Sequence, residues 1–165
     1  MKADFYKHNL SSEHSKYISK VLKSDFLTTG NICKETEIQL KKFFNVNHAL
    51  LTNSWTNGAL AVLMALNIKK GDEVIIPAMT FVATANIVEL LGAVPRFVDV
   101  DKKTLLLDLD KTVKAINNKT KAIMPVHLYG NMFDVKNLRN KIKKFKKKIY
   151  IIEDSAHCFE GKYNN

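Results

Sequence analysis

At 165 residues the chain is long enough for one domain with a sizeable core, and 46% hydrophobic with 25% charged residues is an ordinary globular composition. No apolar run approaches the length of a membrane span. The opening Met1-Lys2-Ala3-Asp4-Phe5-Tyr6-Lys7-His8 lacks the apolar segment of a secretory signal, so a cytoplasmic protein is the expectation. The net charge of +10 raises nucleic acid as a partner, and the two cysteines, without a Cys-x-x-Cys pattern, are expected as reduced, partly buried thiols.

In chain order, Ser11 and Ser12 are candidate caps for a helix reaching about residue 23, with Ile18, Val21 and Leu22 on one face. A loop with Thr28-Thr29-Gly30 follows, then a helix over 34–44 and a short strand at Ala49-Leu50-Leu51. Residues 57–67 show helical apolar spacing through Leu60, Leu63, Met64 and Leu66. Lys70-Gly71-Asp72 is a turn, Val74-Ile75-Ile76 a strand ended by Pro77, and 80–91 a helix stopped by Gly92. A strand over 94–98 precedes a helix over 110–117, for which Asp108 and Asp110 are candidate caps. A strand over 122–124 ends at Pro125. Asp134 opens a helix expected to carry Lys141-Ile142-Lys143-Lys144-Phe145-Lys146-Lys147-Lys148, and 149–152 is the last strand. The apolar members of that lysine run, with Leu138, have helical spacing, so the lysines read as a solvated face. No RNA-binding or zinc-finger signature accompanies them, and no nucleic-acid partner is expected. Strands separated by helices, without repeat or linker, indicate an α/β fold with a mainly parallel sheet flanked by helices.

The last strand carries Glu153-Asp154-Ser155-Ala156-His157 at its carboxyl end, where ligands bind in α/β folds. Asp154 and Ala156 lie two apart and point the same way if the chain is still extended, while His157 falls where it turns. An acid, a small residue and an imidazole together suit a flat heteroaromatic cofactor. Read alone, Asp154 has a helix or loop cap at a strand end as its alternative, His157 is equally a satisfied structural residue, and Glu153 reads as structural. Thr56, Asn57 and Gly58 stand between a strand and a helix, where N–H groups and the helix dipole favour a phosphate; a plain N-cap is the alternative. Phe81 follows Thr80 after a strand end and, from its surroundings alone, reads as a core residue. His127 and Tyr129 end another strand, as substrate contacts or as structural hydrogen-bonding groups. Arg96 is expected to face solvent. His127, Glu153, Asp154 and His157 are residue types that bind divalent metals, but no ligand-spaced motif such as His-Glu-x-x-His occurs, and no metal site is expected.

Five segments taken together resemble one family. They are Thr52-Asn53-Ser54-Trp55-Thr56-Asn57-Gly58-Ala59-Leu60; the stretch from Gly71 to Asn86 around Pro77-Ala78-Met79-Thr80-Phe81; Gly92-Ala93-Val94-Pro95-Arg96-Phe97-Val98-Asp99-Val100-Asp101; Pro125-Val126-His127-Leu128-Tyr129-Gly130; and Ile149 to His157. In this order and spacing they resemble the DegT/DnrJ/EryC1/StrS family of pyridoxal-phosphate (PLP) sugar aminotransferases, over about residues 20–163. The resemblance implies the large domain of an aminotransferase-like (type I) fold and PLP as cofactor. It puts the phosphate at Thr56, Asn57 and Gly58, one residue more than many members have before Ala-Leu. It stacks Phe81 on one face of the pyridine ring and packs Ala156 on the other. It pairs Asp154 with the ring nitrogen and gives His157 to the cofactor's phenolic oxygen or to the support of Asp154. Thr29-Gly30 matches a loop that approaches substrate. The family's Schiff-base lysine lies after a Ser-Phe segment downstream of the Glu-Asp-x-Ala-His motif, beyond Asn165, and no lysine present occupies that position.

The resemblance therefore implies that residues 1–165 are a partial PLP-binding large domain with an N-terminal helical segment, without the C-terminal small domain and without turnover on its own. The implied partners are a nucleotide-sugar substrate and an amino-acid donor such as glutamate, in amino-sugar or surface-polysaccharide biosynthesis, with a homodimer when complete. A PLP-dependent sugar dehydratase of the same family, with histidine in place of the lysine, and a catalytically inactive truncated remnant are the alternatives.

Overall fold

The computed structural model describes residues 8–28 and 30–163, which form two compact units divided between Leu51 and Thr52. The first unit holds helix α1 (Ser12–Leu22), capped at Ser11, and helix α2 (Asn31–Phe44), which starts three residues before the expected 34. Neither helix buries a residue. The strand expected at Ala49-Leu50-Leu51 is absent. Leu50 is 83% exposed, and the Leu51 N–H donates to Glu37 Oε1 at 2.9 Å rather than to a neighbouring strand. An apolar triplet satisfies the period of a strand, but a strand exists only with a ladder partner, and none pairs here among the described residues.

The second unit is a three-layer α/β fold. Helix α3 (Trp55–Ala65) leads through a turn with Asn67 and Gly71 at positive φ into strand β1 (Glu73–Pro77). Helix α4 (Ala83–Leu90), strand β2 (Val94–Val98), helix α5 (Leu109–Ala115), strand β3 (Thr120–Ile123), a 3-10 turn (Leu128–Gly130), helix α6 (Val135–Ile142) and strand β4 (Tyr150–Ile151) follow. The sheet order is β2-β1-β3-β4 and every pairing is parallel. The chain steps from β1 to one neighbour and then to the other, so the connections diverge between β1 and β3. Above that divergence, a crevice opens at the carboxyl edge of such a sheet.

Why the sheet forms is visible in β1. Val74 and Ile76 join the core with Ala59, Leu63, Ile87 and Val88 of α3 and α4, while Ile75 joins the other core with Leu107, Leu138 and Ile142 on the side of α5 and α6. All three are wholly buried. Each contributes about 1.5–3 kcal/mol of transfer free energy. A run apolar on both faces is what a covered parallel strand requires. β2 is the edge: Val94 and Phe97 are exposed there, and Pro95, which has no N–H to give a ladder, is tolerated. The exposed Arg96 lies 3.6 Å from Glu73 of β1.

Two boundaries differ from expectation with consequences. α4 starts at Ala83 rather than 80, because Thr84 and Ala85 donate to the carbonyls of Phe81 and Val82 (both 3.1 Å) in a tight first turn. That leaves Thr80 and Phe81 in the loop above β1. The lysine run is not helical beyond Ile142: Lys143 and Phe145 N–H groups reach Asn140 and Ile142 carbonyls, three residues back, and the chain then unwinds. Nor are its lysines uniformly solvated. Lys147 Nζ donates to the carbonyls of Asn117 and, at 2.7 Å, Thr120, tying this segment to the start of β3. Lys141 pairs with Asp110 at 2.8 Å. No helix among the described residues is long and apolar enough to cross a membrane.

Candidate functional site at the carboxyl end of the sheet

The chain reverses between α3 and β1, so the N-terminus of α3 lies toward the carboxyl end of β1. The helix begins two residues earlier than expected, with Ser54 as N-cap: its Oγ accepts the Asn57 N–H at 3.2 Å. Asn57 Nδ2 in turn donates to Asn53 Oδ1 at 2.8 Å. The N–H groups of Trp55 and Thr56 occupy the first two helical positions, which have no intrahelical acceptor, and they stand at the positive end of the dipole. Gly58 is required by a close approach, since a Cβ there would meet Thr52 Oγ1 at 2.9 Å. Of the three residues expected at this turn, Thr56 presents a first-turn N–H, Asn57 gives its N–H to the cap, and Gly58 sets the packing.

Phe81 stands in the loop after β1 and is 71% exposed. The core reading of this residue is wrong: α4 starts two residues later, so the ring is left outside the apolar layer. At the end of β3 the opposite holds. His127 is wholly buried, its Nδ1 accepts the Phe133 N–H at 3.1 Å, and its Nε2 lies 3.1 Å from Glu153 Oε2. Because Nδ1 must accept, the proton sits on Nε2 and is donated to the carboxylate. Of the two readings left open for His127, the geometry is that of structural hydrogen bonding. It also gives Glu153 its partner. Tyr129, two residues on, is exposed and left-handed (φ 54°), and its ring stacks on His157 at 5.6 Å between centroids and 14° between planes.

Asp154 continues the β3–β4 ladder past the strands proper: its N–H donates to Pro125 O, and its carbonyl accepts the His127 N–H, both at 2.9 Å. The backbone then turns. Ala156 N–H folds back onto Asp154 Oδ1 at 3.0 Å, and Cys158 N–H reaches Ser155 O at 2.9 Å. The extended geometry that would align Asp154 with Ala156 is therefore not present. Asp154 is buried, whereas Ala156 and His157 are exposed on the turn. Cys158 and, in the other unit, Cys33 are free, half-buried thiols. Thr29 lies outside the described residues.

The two neighbouring carboxylates are driven apart. The His127 hydrogen bond holds Glu153 below the usual carboxylate range, against its partial burial and with help from Arg139. Burial pushes Asp154 up, against the Ala156 N–H, His157, His127 and the Thr84 hydroxyl. Among the described residues Asp154 has no lysine or arginine ion pair. A buried carboxylate held by hydrogen bonds yet short of a cation is a ready partner for one brought by a ligand. The start of α3 favours an anion, and Phe81 and Ala156 are exposed. No group of three or more His, Cys, Asp or Glu among the described residues is arranged to hold a metal.

The model of the DegT/DnrJ/EryC1/StrS aminotransferase family matches residues 8–165. The chain belongs to that family. It is 36% identical over 162 residues to a GDP-perosamine synthase of Escherichia coli O157:H7, covering 96% of this chain and 43% of that protein. Among solved structures, E. coli GDP-4-keto-6-deoxy-D-mannose-3-dehydratase with bound hydrated PLP superposes with a TM-score of 0.89 at 30% identity, over 96% of this chain and 42% of that one. The PLP form of Spr1654 from Streptococcus pneumoniae superposes at 0.87 and 30%, over 92% and 42%. The chain thus spans less than half the length of the relatives it matches. The parallel sheet with helices on both faces, expected from the sequence, is the part of the fold it shares with these sugar-modifying enzymes.

Two features of the site were not anticipated. Ser54 is one, although a serine three residues before the Asn57 whose N–H it accepts carries an N-cap signal. The buried hydroxyl of Thr84 carried no signal, since a threonine in an apolar helix start looks like a spacer.

Proposed function

We propose that residues 52–163 form the PLP-binding wall of an aminotransferase acting on a nucleotide-linked keto-sugar, with an amino acid such as glutamate as donor. The observation that carries this is Asp154: a buried carboxylate with no lysine or arginine ion pair among the described residues, at the carboxyl end of a parallel sheet, in a chain of this family. PLP, when bound, supplies the electron sink and carries the amino group between donor and acceptor. The start of α3, with the N–H groups of Trp55 and Thr56, binds the phosphate. Phe81 and Ala156 take the two ring faces, Phe81 by stacking and Ala156 by its small size. Asp154 keeps the proton on the ring nitrogen. His157, braced by the Tyr129 ring, holds the phenolic oxygen. Buried His127 fixes the loop that carries Tyr129 and so acts on the site indirectly. The lysine that would bond the cofactor is not assigned to any residue of this chain. The complete enzyme is read as a cytoplasmic homodimer serving amino-sugar or surface-polysaccharide synthesis.

A second reading, dehydration of the same class of sugar, is supported by the likeness to the keto-deoxymannose dehydratase structures, at TM-scores of 0.89 and 0.91. Both readings use the same wall.

The test is a calorimetric titration of the chain with pyridoxamine phosphate, which needs no lysine. Saturable binding is expected, weakened about tenfold or more by Asp154→Ala, since losing a charge-assisted contact costs about 1.5–3 kcal/mol. Phe81→Ser should also weaken binding while leaving the urea midpoint unchanged. Absence of saturable binding, or binding indifferent to Asp154, overturns the proposal.

A further inference from the structure

The net charge of +10 is not spread evenly over the second unit. β3 starts at Thr120 between Lys119 and Lys121, and the segment leading into β4 carries Lys143, Lys144, Lys146 and Lys148. Those six lysines are all exposed, and none has a carboxylate partner among the described residues. Ala122 pairs with Tyr150 in parallel register, so the two lysine segments run side by side at the amino edge of the sheet. Lys147 fastens them together, its Nζ donating to the carbonyls of Asn117 and Thr120. The crowding of charge is felt there: the Lys147 ammonium is held below its ordinary range first by burial and then by Lys121.

The acids are committed elsewhere. At the start of β1, half-buried Asp72 accepts the Lys69 N–H, and half-buried Glu73 takes Asn117 and Arg96. Toward the carboxyl end, Asp99 and Asp110 pair with Lys111 and Lys141, and Asp108 and Asp134 cap α5 and α6. A second copy of this unit thus offers no cluster of uncommitted carboxylates among its described residues, and the complementary charge has to come from another kind of molecule. Three features narrow its chemistry. The six cations are lysines, point charges without the planar fork by which arginine grips a phosphate bidentately. Lys144 and Lys148 lie over the half-buried rings of Phe145 and Tyr150, at 5.3 and 4.7 Å, so no ring in the patch is free to stack on a base. Strands begin at this edge and α5 and α6 end at it, so no helix or ribbon stands out to enter a groove of nucleic acid. The patch therefore suits an extended surface of negative charge.

We propose that this amino edge is a docking surface for an anionic lipid bilayer, held by charge and reversible. Asp154 lies at the other end of the same sheet, so docking leaves the candidate site turned to solvent. The proposal goes beyond the cofactor reading and does not depend on it.

The experiment is co-sedimentation of the chain with vesicles of phosphatidylcholine and phosphatidylglycerol in equal parts, against vesicles of phosphatidylcholine alone, at low salt. Binding to the anionic vesicles only is expected, and it should be lost as salt is raised. Each lysine close to such a surface is worth about fivefold in partitioning, so Lys143→Gln, Lys144→Gln, Lys146→Gln and Lys148→Gln combined should weaken binding about a hundredfold or more. The same loss of charge at exposed lysines away from this edge, by Lys102→Gln, Lys103→Gln, Lys136→Gln and Lys162→Gln combined, should weaken it less than about tenfold. Urea midpoints check that both variants are folded. Should the first fail to fold, Lys119→Gln with Lys121→Gln takes its place, with a loss of about twentyfold expected. Absence of binding to the anionic vesicles, or an equal loss in the patch and control variants, overturns the proposal. So does patch-dependent retention of a mixed-sequence DNA duplex by a chain that ignores the vesicles.

Discussion

Replacing His127 with phenylalanine keeps a flat ring in a wholly buried place and removes both of its hydrogen bonds. The main loss is at Phe133, whose N–H donates to Nδ1 at 3.1 Å from a buried residue and would be left without an acceptor. An orphaned buried donor costs about 1–3 kcal/mol. The contact to Glu153 adds less. That carboxylate is 41% exposed, so water replaces much of what is lost, and about 0–1 kcal/mol is the fitting scale. Together the variant should be about 1–4 kcal/mol less stable, read as a lower urea midpoint at unchanged slope, with the melting temperature falling about 2–4 °C for each kcal/mol. Glu153→Gln, which leaves Phe133 satisfied, should lose no more than about 1 kcal/mol. The gap between wild type and His127→Phe should also narrow in acid. Glu153 is held below its ordinary value of 4.5, so its contribution is present above that value and is lost as the pH falls through the lower, folded one. A His127→Phe variant within about 0.5 kcal/mol of wild type would refute the claim that this imidazole braces the loop.

Three further outcomes are expected. Asp154 is raised above its ordinary 3.8, so its favourable contribution is complete below that value and is lost as the pH rises through the folded one. Cofactor-free Asp154→Asn should therefore be at least as stable as wild type at about pH 7; a lower urea midpoint there would show that the protein already supplies the missing cation. Gly58→Ala should lose about 1–3 kcal/mol through contact with Thr52 Oγ1, and loss of stability that Thr52→Ala, which removes that oxygen, does not relieve would place the strain elsewhere. Lys147→Met should lose about 1–2 kcal/mol by removing the donor that the Asn117 and Thr120 carbonyls share, whereas the exposed Lys146→Met should stay within about 0.5 kcal/mol, both read by urea denaturation.

What the sequence conveyed depended on whether a signal was local. Val74-Ile75-Ile76 between Gly71 and Pro77 could only be a covered strand, and it is one. Asp108 and Asp134 both cap the helices they precede, each accepting the N–H three residues on. Ala49-Leu50-Leu51 failed for lack of a partner strand, something three residues cannot report. The lysine run failed because helical spacing of Leu138, Ile142 and Phe145 says nothing about where carbonyls elsewhere need a donor, and Lys147 answers that need. The placement of Asp154 at the end of the last strand was legible from the β-rich run before it. Its separation from the exposed Ala156 was not, because the Ala156 N–H turns back onto the carboxylate. Phe81 looked like core from its place at an expected helix start and lies outside it, because α4 starts at Ala83.

The central claim is that Asp154 meets the ring nitrogen of a bound pyridoxal compound. The most direct measurement is the nitrogen-15 chemical shift of ring-labelled pyridoxamine phosphate bound to the chain, followed as the pH is raised. A ring nitrogen that stays protonated in the wild type well above its value in free cofactor, and loses that proton in Asp154→Asn, is the expected result. A bound ring that titrates like free cofactor in both proteins would contradict it.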